Sequence, residues 1–161
     1  MRALDKLLGL KVSNIGRATD MLCVSFGDDV KTNLGISLPA YEIHCLCPWR
    51  IKTANNEILL ASSEIYQPPV GEEWSEVFNW DVKGGNLFDQ KVVELFGETD
   101  YYVADIRITE CNDLIMKMSS GITLETFTDS SAEECWRLIE RGDSASNSNY
   151  LVASAKCIHL E

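Results

Sequence analysis

The stretch Tyr41-Glu42-Ile43-His44-Cys45-Leu46-Cys47-Pro48-Trp49-Arg50-Ile51 constrains the fold more than any other. Successive side chains of an extended strand point to opposite faces, so Tyr41, Ile43, Cys45 and Cys47 fall on one side and Glu42, His44 and Leu46 on the other. The first set is apolar enough to line a core. Pro48 removes a ladder donor, so the strand bends or reaches a sheet edge there. Residues 50–53 resume it, Ala54-Asn55-Asn56 has turn chemistry, and residues 57–63 supply a return strand through Ile58, Leu59 and Leu60.

Other segments follow the same two periodicities. Leu4, Leu7 and Leu8 have helical spacing, which favours a short opening helix. Residues 17–27 read as one strand, with Leu22, Val24 and Phe26 sharing a face, and residues 28–38 as a hairpin connection. Residues 66–86 lose periodicity while keeping Trp74, Phe78 and Trp80, the mark of a packed or functional surface loop. Asn86 or Asp89 can start a helix over 87–96, whose Phe88, Val92, Leu95 and Phe96 form a stripe that Gly97 ends. Residues 101–109, 114–118 and 122–127 predict a meander turning at Asn112-Asp113 and Ser120-Gly121. Asp129, Ser130 or Ser131 can cap a second helix through Trp136 to Ile139, with Glu133 and Glu134 in its first turn. The Ser/Asn-rich residues 142–149 predict a mobile loop, and residues 150–160 a closing strand. The expected fold is a single α+β domain over residues 1–161, with a largely antiparallel sheet of about six to eight strands and two main helices.

Charge and length narrow the function classes. With 14 basic and 25 acidic side chains the net charge is -11. That balance opposes nucleic-acid binding, which gains from basic clusters that release counterions. It suits solubility, and it speeds encounter with a basic protein. Asp5 and Lys6 interrupt the apolar run a signal peptide requires, and nothing later approaches the roughly 18 apolar residues of a membrane span. The expectation is a soluble cytoplasmic protein with no membrane or nucleic-acid partner. In that setting Cys23, Cys45, Cys47, Cys111, Cys135 and Cys157 are expected as reduced thiols, most of them small core residues.

Candidate chemistry divides in the same way. His44, Cys45 and Cys47 are zinc-ligand types, but a structural site needs four ligands and no second Cys/His pair accompanies them. Cys45 and His44 point to opposite strand faces, which separates a nucleophile from its base; His159 could approach a cysteine from the last strand. The acidic pairs Asp28-Asp29, Glu72-Glu73 and Glu133-Glu134 sit in loops or a first turn, and Gly84-Gly85 lacks the spacing of a phosphate cradle. No metal, cofactor or catalytic residue is therefore assigned. His44, Trp49, Arg50, Tyr66, Trp74 and Trp80 are the candidate binding residues, because aromatics and arginine dominate interface hot spots. Packing of the same rings over one end of the sheet is the competing role.

Gly16-Arg17-Ala18-x-x-Met21 with Phe26-Gly27, His44-x-x-Cys47-Pro48-Trp49-Arg50, Tyr66-x-Pro68, Gly85-Asn86-x-x-Asp89 and Glu134-x-Trp136-Arg137-Leu138 occur in this order along the chain. Together they resemble a family of small uncharacterised bacterial proteins. The resemblance implies a shared fold and carries no catalytic residue. Two functions are weighed: a non-catalytic protein-binding module, such as an acidic inhibitor or immunity-type protein with a basic partner, and a small-molecule or metal-dependent enzyme with a site near His44 and Arg50. A homodimer formed through a sheet edge or the Trp74 loop is a further expectation.

Overall fold

The computed structural model describes residues 2–142 and 148–161. Eleven strands among them form two antiparallel sheets. The first contains β1 (Val12–Ala18), β2 (Met21–Lys31), β3 (Ser37–Cys45), β9 (Glu134–Arg141), β10 (Ser148–Ser154) and β11 (Ile158–Leu160), in that spatial order. The second contains β4 (Trp49–Lys52), β5 (Ile58–Ala61), β6 (Val103–Ile108), β7 (Leu114–Met118) and β8 (Thr123–Thr126), ordered β5-β4-β8-β7-β6. Helix α1 (Arg2–Asp5) is a single turn, a 3-10 turn spans Ser62–Tyr66, and α2 (Leu87–Phe96) is the one long helix among the described residues.

The inner faces of both sheets meet in one hydrophobic cluster. Leu22, Val24, Phe26, Ile43, Trp136 and Leu138 enter it from the first sheet, and Trp49, Ile51, Leu60, Leu114, Met116 and Leu124 from the second. Phe88 of α2 is buried against this cluster, its ring 5.7 Å from that of Trp49 in an edge-on arrangement. Asn86 caps α2 by accepting from the Asp89 amide at 2.9 Å, so the cap expected at the start of this helix is formed.

The chain crosses between the sheets twice at one corner. After β3 it runs through Leu46-Cys47-Pro48 into β4, and after β8 it returns through residues 127–133 into β9. The two crossings lie side by side: the amides of Leu46 and Cys47 both donate to the Cys135 carbonyl, at 2.8 and 3.1 Å, and the Phe127 amide donates to the Pro48 carbonyl at 2.8 Å. A Cys47–Cys135 disulfide, with Cα atoms 4.8 Å apart, staples them. Pro48 thus marks a bend from one sheet into the other. The reduced state expected for all six cysteines is corrected at this pair, because the crossings bring residues 88 apart in sequence into bonding range.

The fold is richer in β-structure than the α+β expectation. The second main helix is absent: residues 134–141 form β9, a central strand, because Cys45, Ile43 and Glu42 of β3 pair with Trp136, Leu138 and Ile139 on one side and β10 pairs on the other. Trp136 and Leu138 point inward and are fully buried. Residues 17–27 form parts of two strands, broken by Thr19 in the left-handed region at φ 53°. Residues 150–160 likewise divide into β10 and β11. Of the expected mobile loop, residues 143–147 lie outside the described residues, whereas Ser148 and Asn149 already belong to β10.

Candidate functional site

Two regions concentrate chemistry-bearing side chains: a cleft at the β1 edge of the first sheet, and the long loop that borders it. Alternation in β2 sends Leu22, Val24 and Phe26 inward, so Cys23 lies on the outer face. Alternation in β3 places Glu42 and His44 on that same face. The register pairs Cys23 with His44 and, on the other side, Gly16 of β1 with Cys23. The donor atoms of Cys23, Glu42 and His44 all lie within 4.8 Å of one another, with His44 Nε2 3.4 Å from Glu42 Oε2.

Arg141 of β9 anchors this group, donating to Glu42 Oε2 and to the Pro39 carbonyl, both at 2.8 Å. The hydrogen bond with His44 leads, with Arg141 assisting, in holding the Glu42 carboxyl below its ordinary range against the opposing effect of burial. The Cys23 sulfur first, and the Glu42 carboxylate second, push the His44 imidazole up to about 9.

A cleft of about 580 Å³ opens beside the group, lined by Gly16, Arg17, Cys23 and Glu42 on the sheet side and by Lys83, Phe88, Asp89 and Val92 on the other. That volume lies within the range of small-molecule sites. Gly16 and its register partner Cys23 both line the cleft.

Arg17 reaches from the sheet side to hold the cleft's far wall. Its guanidinium grips Asp89 through two hydrogen bonds of 2.9 Å and donates to the carbonyls of Trp80 and Val82 at 3.1 and 3.2 Å. Asn86 Nδ2 also donates to the Trp80 carbonyl, at 2.9 Å, and the Gly84 amide donates to Asp89 at 2.8 Å. The Tyr66 ring meets Trp80 edge-on at 4.9 Å while its hydroxyl donates to Asp20 at 2.6 Å. Residues 67–86 hold neither helix nor strand, yet the two ends of this loop are fastened. Its middle is open: Val70, Trp74 and Val77 are 72%, 68% and 90% exposed, with Glu72, Glu73 and Glu76 interleaved.

The six residues singled out in the sequence therefore have different settings. His44 lies on the outer face of the first sheet. Arg50 lies in the second sheet, where it ion-pairs with Glu125 at 2.7 Å and covers the Phe127 ring, so it faces a different set of partners from His44. Trp49 is a core residue at 2% exposure. Tyr66 and Trp80 form the clasp of the loop, and Trp74 stands at its exposed middle. Cys23, Glu42 and Arg17 were absent from that set. The outward position of Cys23 follows from the inward Leu22/Val24/Phe26 row, but its meeting with His44 depends on strand register, which is not a local property of sequence.

Comparison of the chain with protein-family models, with curated proteins and with solved structures yields no match.

Proposed function

We propose that this protein is a non-catalytic, cytoplasmic protein-binding module, an acidic inhibitor or immunity-type partner of a basic protein, and that the 67–86 loop is its recognition element. One observation carries the reading: Trp74, with Val70 and Val77, is presented to solvent from a loop whose two ends are fixed by Arg17, Asn86 and the Tyr66–Trp80 contact. An exposed aromatic on a restrained backbone loses little conformational freedom on binding, which is the condition under which such side chains become hot spots. The interleaved Glu72, Glu73 and Glu76 and the net charge of -11 favour a basic partner and a fast, salt-sensitive encounter. Among the described residues no helix is long and apolar enough to cross a membrane.

The test is capture from native-host extract with the wild-type chain and a Trp74→Ala variant. A basic protein retained by the first, lost from the second and released by salt supports the reading. No retained protein, with a monomeric chain by light scattering, contradicts it.

A second reading, a small-molecule or metal-dependent enzyme, draws on the cleft and on the Cys23, Glu42 and His44 side chains at its edge. Arg50 has no part in it, being engaged by Glu125 in the other sheet. Turnover lost in His44→Gln while capture through Trp74 persists would separate this reading from the first.

A further inference from the structure

We infer that Cys23, Glu42 and His44 form a three-ligand site for a borderline-soft divalent cation, zinc above all, with its fourth position turned toward the β1-edge cleft. The inference concerns the cluster alone and stands whether or not the 67–86 loop binds a protein.

One sulfur, one imidazole nitrogen and one carboxylate oxygen form a set suited to zinc or cobalt(II); magnesium and calcium call for oxygen alone. Spacing comes next. Ligands about 2.0–2.3 Å from a tetrahedral zinc stand roughly 3.3–3.8 Å apart. The His44 and Glu42 donors are already 3.4 Å apart, and the Cys23 sulfur lies within 4.8 Å of both, so closing the set needs only small side-chain rotations. The backbone supports the geometry, because Cys23 and His44 are cross-strand partners and Glu42 is two residues along the same face.

Two neighbours complete the case. Arg141 fixes the Glu42 carboxylate, as an outer-shell group orients a ligand in metal sites. Arg137, the register partner of His44 on its other side, is drawn away by its ion pair with Glu134 and lies over the Tyr150 ring at 5.9 Å. The Cys23 sulfur makes a long contact, 3.8 Å, to the Met21 carbonyl and a hydrogen bond with the His44 side chain, so it already faces its proposed co-ligand.

A rival set lies at the exposed end of β11, where Cys157 Sγ is 3.7 Å from His159 Nδ1 and His159 Nε2 is 3.3 Å from Glu161. The experiment therefore uses the full chain carrying Cys157→Ser and His159→Asn, titrated with Zn2+ by calorimetry and with Co2+ by absorption spectroscopy. The expected result is one ion per chain and a thiolate-to-cobalt charge-transfer band. Cys23→Ser in this background should remove the band, and both Cys23→Ser and His44→Gln should weaken zinc binding by about tenfold or more. Circular dichroism of each variant establishes that it is folded. Absence of stoichiometric binding in the parent chain, or a charge-transfer band that survives Cys23→Ser, would overturn the inference.

Discussion

Arg17 of β1 and Asp89 of α2 form a two-pronged ion pair, Nε to Oδ1 and an η-nitrogen to Oδ2, both 2.9 Å, with only 6% and 15% of the two side chains exposed. The same guanidinium binds two carbonyls of the long loop. One side chain thus ties the edge strand, the helix and the proposed recognition element together. Its planar fork is what permits the simultaneous bonds, and a lysine cannot reproduce them.

Arg17→Met should destabilise the fold by about 3 kcal/mol, since removing one partner of a largely buried pair leaves the other charge uncompensated. Urea denaturation measures this. Arg17→Lys should recover only part of the loss, and hydrogen exchange at residues 80–85 should quicken in both variants. Equal stability of the lysine variant and wild type would show that the fork geometry does not matter.

The Cys47–Cys135 bond closes a long loop, so its removal in Cys47→Ala/Cys135→Ala should cost about 2–4 kcal/mol by the entropy it takes from the unfolded chain. Thiol titration of the denatured, unreduced protein should count the four free cysteines Cys23, Cys45, Cys111 and Cys157. After reduction the count should be the six of the sequence. Six thiols before reduction would show the corner closed by hydrogen bonds alone.

The two fully packed tryptophans should respond differently to phenylalanine. Trp136 Nε1 donates to the Asn112 carbonyl at 2.8 Å, whereas the buried Trp49 Nε1 finds no partner among the described residues. Trp136→Phe leaves an acceptor unpaired, while Trp49→Phe removes a donor that gained nothing. Trp136→Phe should therefore be less stable than Trp49→Phe by about 1 kcal/mol, read from thermal or urea unfolding.

The Tyr66–Asp20 bond predicts opposite effects on the two pH limbs. The Tyr66 hydroxyl holds the Asp20 carboxyl below its ordinary range, so the stability from Asp20 is complete above that range and is lost as pH falls through the lowered value. Tyr66 itself is pushed up to about 12, first by that hydrogen bond and then by desolvation, so its contribution is complete below 10 and is lost as pH rises toward 12. Tyr66→Phe should flatten both limbs and remove the late-titrating tyrosine from the alkaline absorbance curve. A wild-type curve with every tyrosine titrating at the ordinary value would contradict this.

Much of this architecture is legible wherever a local pattern and its tertiary setting agree. Asn86, Phe88 and Gly97 mark α2 because capping and one-sided burial act within a few residues. Leu114, Met116 and Met118 mark β7 because alternate side chains all face the core. Residues 129–141 mislead because a Ser/Asp cap followed by glutamates is also what a loop entering a strand can carry; pairing with β3 and β10 outweighs the local helical signal there. The turn at Thr19-Asp20 lacks glycine or proline, so nothing local separates β1 from β2. The Cys23–His44–Glu42 group is half legible: each residue's face follows from alternation, but the register that joins them is set by sheet assembly.

Whether the 67–86 loop is a recognition surface can be read from a photo-crosslinking amino acid placed in turn at positions 74, 77 and 93 in the native host. Val93 is a suitable control, being 71% exposed on α2 outside the loop. One discrete adduct with a basic protein is expected from positions 74 and 77, diminished by salt, and none from position 93. No adduct from either loop position, or the same adducts from all three, would contradict that role.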